Sequence, residues 1–318
     1  MQSIRNLFRA AWSSDARLDG KTVVITGANT GIGKETAIDL AKRGARVIIA
    51  CRDMEKAEAA VKEIKEKSDS SEVVSMKLDL SNSQSIREFA EVINRDEPKL
   101  NILINNAGVM VCPYGKTADG FEMQIGVNHL GHFLLTYLLM DLIKRSAPAR
   151  IVTVSSMAHS WGSINLEDLN SEKSYSKTKA YAQSKLANVL FTRSLAKRLE
   201  GSGVTAYSLH PGVVQTDLWR HLSAPEQFFM KVARPFTKNS LQGAQTTIYC
   251  AVEPSLDRES GGYYRYAHCN RFSQPELSPP VCPRSDCAPA SCSSAGKDDN
   301  LAEKLWDLSC RMLGVTWE

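Results

Sequence analysis

A tyrosine and a lysine stand four residues apart in the run Tyr181-Ala182-Gln183-Ser184-Lys185. On a helix that spacing puts the phenol and the ammonium on one face, one turn apart. Far upstream, Thr26-Gly27-Ala28-Asn29-Thr30-Gly31-Ile32-Gly33 joins an apolar run (Val23, Val24, Ile25) to an amphipathic one. A glycine-rich turn between a strand and a helix lets the backbone approach a pyrophosphate at the helix N-terminus. Each feature alone is common. Together, in this order, a proton donor with a tuned pKa and a dinucleotide site point to hydride-transfer chemistry.

The proton sets the demands on the tyrosine. A free phenol titrates near 10, and lowering it to about 7 needs roughly 4 kcal/mol of preference for the phenolate. The Lys185 ammonium and the positive nicotinamide ring of an oxidised cofactor could supply that. Ser156, at the end of an apolar run, could donate a hydrogen bond to a substrate oxygen. Asn128 could hold a water linking Lys185 to solvent. By spacing alone, both are also compatible with ordinary helix and turn positions.

The cofactor turn follows G-x-x-x-G-x-G, with Gly27, Gly31 and Gly33 spaced by Asn29, Thr30 and Ile32. The residue ending the next strand selects the dinucleotide: an acid takes the ribose 2′-OH, an arginine the 2′-phosphate. Asp53 lies at the nominal acidic distance, but Arg52 comes first, and Asp53 suits the cap of a helix starting at Met54. A guanidinium pairs with phosphate through two hydrogen bonds, so NADP(H) is expected. Asp79, followed by Leu80, is placed for the adenine edge. Asn105-Asn106-Ala107-Gly108 is expected to pass behind the cofactor.

The elements that position these groups alternate. Strand-like runs at 22–26, 46–50, 73–78, 102–105, 150–154 and 204–209 are separated by helical patterns at 31–43, 55–67, 84–95, 121–144 and 175–199. Continuous apolar strands separated by helices predict a doubly wound parallel α/β sheet, a Rossmann fold, in a single domain. Residues 20–264 form the catalytic unit, behind an N-terminal arm at 1–19. Pro211-Gly212 ends the sixth strand, and residues 213–240 are expected to form a substrate lid. Residues 265–297 are rich in Pro, Ser and Cys and read as a loop, followed by a C-terminal helix within 298–318.

Composition is ordinary for a globular protein, and a net charge of +4 over 318 residues does not suggest a nucleic-acid partner. No apolar stretch is long enough to span a bilayer. Ile4, Leu7, Phe8, Ala11 and Trp12 follow helical spacing beside Arg5 and Arg9. That arm is either an interfacial membrane helix or a segment packed on the body. Eight scattered cysteines and the absence of a secretory pattern favour free thiols in a reducing compartment. A cytoplasmic protein, or one attached peripherally to the endoplasmic reticulum, is expected, with no bound metal.

The glycine turn, Asn105-Asn106-Ala107-Gly108, Asn128, Ser156, Tyr181, Lys185 and Pro211-Gly212 resemble the short-chain dehydrogenase/reductase family, and within it the retinol dehydrogenases. The resemblance implies a catalytic tetrad of Asn128, Ser156, Tyr181 and Lys185, with Ser156 rather than Ser155 as hydroxyl donor. It implies cofactor contacts from Pro211, Gly212, Val214 and Thr216, the last at the nicotinamide amide. It also implies NADPH use and retinal or a related lipid aldehyde or alcohol as the small hydrophobic substrate. Steroids or medium-chain aldehydes are the alternative substrates, and a non-catalytic NADP-binding scaffold is the alternative class. Members carry an apolar N-terminal anchor that this chain begins after or lacks. They also run directly from the strand at Gly261–Tyr264 to a Ser-Asp-Cys, where Arg265–Arg284 intervene here as an insertion.

Overall fold

The apolar β-branched runs become strands of one sheet in a computed structural model that describes residues 12–214, 237–266 and 287–317. In chain order these are β1 (Thr22–Thr26), β2 (Arg46–Cys51), β3 (Val73–Lys77), β4 (Ile102–Asn105), β5 (Ala149–Val154), β6 (Val204–His210), β7 (Tyr263–Tyr266) and β8 (Cys287–Pro289). The spatial order is β3-β2-β1-β4-β5-β6-β7-β8. Neighbours from β3 to β7 are parallel, with Val24 opposite Ile48 and Leu103, and only β8 runs antiparallel. The order reverses between β1 and β4, and a crevice opens beyond the strand ends at such a point.

Helices cover both faces because Val23–Ile25 of β1 and Val47–Cys51 of β2 are apolar at every position. Val23, Ile25, Val47 and Ile49 point to the face covered by α1 (Gly31–Lys42), α2 (Met54–Ser68) and α6 (Ser240–Val252). Val24, Ile48 and Leu103 point to the other, against α3 (Ser83–Asp96), α4 (Gly131–Arg145), α5 (Lys177–Arg198) and α7 (Asp299–Leu313). This period of two within continuous apolar runs is what a doubly covered sheet demands.

Three expectations need correction. The helix expected over 121–144 is not continuous: a short α-turn at Met123–Ile125 leads into a π-turn at Gly126–Leu130 before α4 begins. Helix α6 was not anticipated, because Thr246, Thr247, Ile248 and Tyr249 suit a strand as well as a buried helix. Its start carries a readable signal, a capping box between Asn239 and Gln242.

The loop expected over 265–297 is ordered at both ends, as the last expected strand continues into it. Arg265 and Tyr266 belong to β7 and pair with Ala288 and Cys287 of β8, so the intervening segment lies within 267–286, outside the described residues. The arm from residue 12 to residue 19 packs on the body: Trp12 Nε1 donates to Glu253 at 3.0 Å and its ring meets Tyr249 edge-on. Residues 1–11, and with them most of the helically spaced apolar set, lie outside the described residues, as do lid residues 215–236. The two ends of the lid are tied together, with the Lys238 N–H donating to the Val213 carbonyl.

Candidate active site

A cleft of about 1370 Å³ lies at the C-terminal ends of β1, β4, β5 and β6. It gathers residues remote in the chain: Gly27, Asn29 to Gly33, Arg52, Asp79, Leu80, Asn106 to Gly108, Ser156, Tyr181, Lys185, Pro211, Gly212 and Val214 all line it. Of the expected site residues, Thr216 lies outside the described residues, and Asn128 is fully buried behind the cleft wall.

The glycine turn is built by close approach. Gly27 and Gly31 hold φ of +65° and +57°, a region costly for other residues. A Cβ on Gly33 would lie 2.6 Å from Asn106 Nδ2 and 2.7 Å from the Gly27 carbonyl. Thr30 makes no side-chain capping bond to α1, and the first turn of that helix holds no acid. The helix N-terminus therefore presents its positive end to the cleft. On the cleft wall, Asn106 Nδ2 donates to the Thr26 and Gly27 carbonyls, tying the β4 turn to the glycine turn.

At the end of β2 the two candidate selectors separate. The Asp53 carboxylate accepts from the Lys56 N–H at 3.1 Å and pairs with the Lys56 ammonium at 2.9 Å, so it caps α2. Arg52 is exposed on the cleft rim. Asp79, on the cleft wall, forms an Asx-type turn: its Oδ1 accepts from both the amide and the hydroxyl of Ser81.

On the other side, Tyr181 and Lys185 lie one turn apart on α5, only 8% and 4% exposed. Lys185 Nζ donates to the Val154 carbonyl at 3.1 Å and sits 5.8 Å from the centre of the Tyr181 ring. Ser156 lines the cleft beside Tyr181, close enough to hold the phenol's pKa down, and its hydroxyl accepts from the Ala158 N–H. Ser155 is committed elsewhere, donating to the Lys185 carbonyl at 2.7 Å. Burial pushes the Tyr181 phenol up to about 12 against the pull of Ser156, and drives the Lys185 ammonium down to about 8. Removing a phenolate from water is the dominant effect on the phenol in the protein by itself, and the expected lowering by Lys185 also calls on the positive ring of a bound oxidised cofactor.

Asn128 is tied into the fold through its side-chain amide. Its Nδ2 donates both protons, to the Val109 carbonyl and to Ser184 Oγ, while its Oδ1 accepts from the Val109 N–H. The side chain is a brace between the π-turn and the β4 loop, and what it can offer a water is lone pairs only.

The apolar mouth escaped sequence reasoning. Met157 and Trp161, on the 3₁₀ turn after Ser156, and Val213, after Pro211-Gly212, are exposed at 48%, 63% and 44% and line the cleft with Met110 and Val111. Large apolar side chains left in water directly beyond the expected hydroxyl donor were the available signal.

The model of the short chain dehydrogenase family matches residues 21–227. The chain belongs to that family. It is an oxidoreductase that binds a nicotinamide cofactor, and the dehydrogenase is 52% identical to human retinol dehydrogenase 12 over 99% of this chain and 94% of that protein. It is 51% identical to human retinol dehydrogenase 11 over 95% and 89% of the two chains. Among solved structures, an uncharacterised Mycobacterium paratuberculosis protein superposes with a TM-score of 0.75 at 38% identity, covering 97% of this chain and 99% of that one. The NADP complex of Pseudomonas aeruginosa RhlG superposes at 0.64 with 25% identity over 78% and 95%. The glycine cradle, the uncapped α1 N-terminus and the Asn106 tie fit a bound dinucleotide. Among the described residues, no helix is long and apolar enough to cross a membrane, and no cluster of three His, Cys, Asp or Glu side chains could hold a metal ion.

Proposed function

We propose that the dehydrogenase is an NADP(H)-dependent reductase of retinoid or related lipid aldehydes, running in reverse on the alcohols, with Asn128, Ser156, Tyr181 and Lys185 as its catalytic set. The observation that carries this reading is the gathering of Tyr181, Ser156 and the Lys185 ammonium on one cleft, under a mouth of Met157, Trp161 and Val213. Hydroxyls converging there suit one carbonyl oxygen, and the apolar mouth suits a long hydrocarbon.

A nicotinamide cofactor held in the glycine cradle would supply or accept the hydride. Tyr181, buried and protonated through neutrality, gives its proton to the developing alkoxide, and Ser156 donates a second hydrogen bond to the same oxygen. Lys185 holds positive charge beside the phenol, offsetting the cost of the phenolate once the proton has left. Asn128 keeps the Val109 strand-end loop fixed against α5 through Ser184. The exposed Arg52 supports the phosphate-bearing cofactor, since the neighbouring carboxylate of Asp53 is bound to its own helix. The names of the two human relatives support a retinoid-like substrate.

Turnover of retinal, steroid and medium-chain aldehyde panels with NADPH and NADH tests the proposal. Tyr181→Phe is expected to lose about 10²–10⁴-fold in turnover while still binding NADPH, because the ring keeps its packing. Wild-type turnover by the Phe variant would overturn the catalytic assignment. NADPH binding with no turnover across the panel would favour a scaffold.

A further inference from the structure

A buried histidine ties the proposed catalytic turn to the cofactor turns. Thr26 Oγ1 accepts from the N–H groups of both Asn106 and Ala107, each at 2.9 Å. Its two lone pairs are then used, and its proton must go elsewhere. His132 Nε2 lies 2.8 Å away, whereas the Ile104 carbonyl is at 3.4 Å. On the other side of the ring, Nδ1 is 3.1 Å from the Asn128 backbone oxygen, which can only accept. The donor count leaves one arrangement: Nδ1 carries the proton and donates to Asn128, and Nε2 accepts from Thr26. The ring is only 1% exposed, and the titratable groups facing it are Lys185 and His129. Protonating Nε2 would aim a second donor at an oxygen with no free lone pair, so the site holds the neutral ring.

We propose that His132 is a positioning residue: through one fixed tautomer it locks the backbone of Asn128, in the π-turn, to the Thr26–Gly27 and Asn106–Ala107 turns that cradle the cofactor. This rests on the roles proposed above for Asn128 and the glycine turn. Neither contact touches the reacting atoms. The lock sets the distance between the wall holding the cofactor and the turn braced against α5, and misplacement of about 1 Å can cost 10²-fold in rate.

The test combines a spectroscopic readout with three variants. Side-chain ¹⁵N NMR of the wild-type protein should show His132 as the Nδ1–H tautomer at neutral pH and still neutral at about pH 5; an Nε2–H tautomer would overturn the inference. His132→Phe, which fills the space without hydrogen bonds, should lower turnover by about 10- to 100-fold and weaken NADPH binding measured by fluorescence. His132→Asn keeps only the N–H toward the Asn128 carbonyl and His132→Gln only an acceptor toward Thr26; each holds one end of the lock, so both should resemble the Phe variant in turnover. Losses that follow melting temperature alone across the three, or an active Phe variant, would sink the lock. Tyr181→Phe assayed alongside separates the failures: if it is inactive while His132→Phe is active, only the lock fails; if both are active, the proposed chemistry fails as well.

Discussion

Lys185 carries a charge that the fold resists. Among the described residues its ammonium has one hydrogen-bond acceptor, the Val154 carbonyl, and burial lowers its pKa from an ordinary 10.5 to about 8. The charged form therefore costs the folded state roughly 3 kcal/mol at neutral pH. Val154 would not be orphaned by its removal, since Asn188 Nδ2 donates to the same oxygen at 3.2 Å. Lys185→Met is expected to raise the melting temperature while abolishing turnover, and a melting temperature below wild type would refute the cost argued here. The pH dependence follows with opposite signs for activity and stability. Above about 8 the folded protein sheds the Lys185 proton first, so reductase kcat/KM should fall with rising pH. Between there and 10.5 the unfolded chain binds more protons, so this group's contribution to stability rises.

At the scale of elements, the end of β2 and the start of α2 divide two charges between two tasks. Asp53 caps the helix, and Arg52 faces the cleft rim. Asp53→Ala should lower stability by about 1 kcal/mol and leave the affinities for NADPH and NADH in the same ratio. Arg52→Ala should leave melting unchanged and weaken NADPH selectively. A charge-assisted contact contributes about 1.5–3 kcal/mol, a ten- to hundredfold change in preference. Cofactor titrations of both variants check this. A large loss of NADH affinity in the Asp53 variant would show that the carboxylate reads the ribose after all.

For the whole molecule, the question is what residues 267–286 interrupt. They join Tyr266 to Cys287, which stand opposite one another in an antiparallel pair. A hairpin needs only a few residues there. Deleting residues 269–284 leaves four, Ala267, His268, Ser285 and Asp286, to make the connection. Shortening a loop from 20 residues to four is a little over two halvings, worth roughly 1–1.5 kcal/mol. Melting temperature is expected to hold or rise, with NADPH affinity unchanged. A marked drop would mean the segment is packed structure. Beyond it, the chain returns to the body. The Ser293 N–H donates to His159 Nε2, and α7 is pinned to α5 by Arg198, which pairs with Glu303 and stacks over Trp306.

Much of this was legible in the chain itself. Strand positions, the order of elements, the glycine turn and the Tyr181–Lys185 spacing all depend on local pattern: apolar runs, positive-φ glycines and helical periodicity act within a few residues of one another. The cap role of Asp53 was readable for the same reason. Three things were decided only by tertiary structure. The phenol's pKa depends on how much water the packed cleft excludes, which no local pattern encodes. Asn128 and Asn106 became braces because the carbonyls they bind are brought to them by other elements, Val109 from the β4 loop and Thr26 from β1. The apolar mouth at Met157, Trp161 and Val213 joins segments some fifty residues apart, and His132 joins Thr26 to Asn128 across about a hundred. Hydrogen-bond partners and solvent exclusion are set by which elements meet, and that meeting is a property of the folded sheet and its two helical layers.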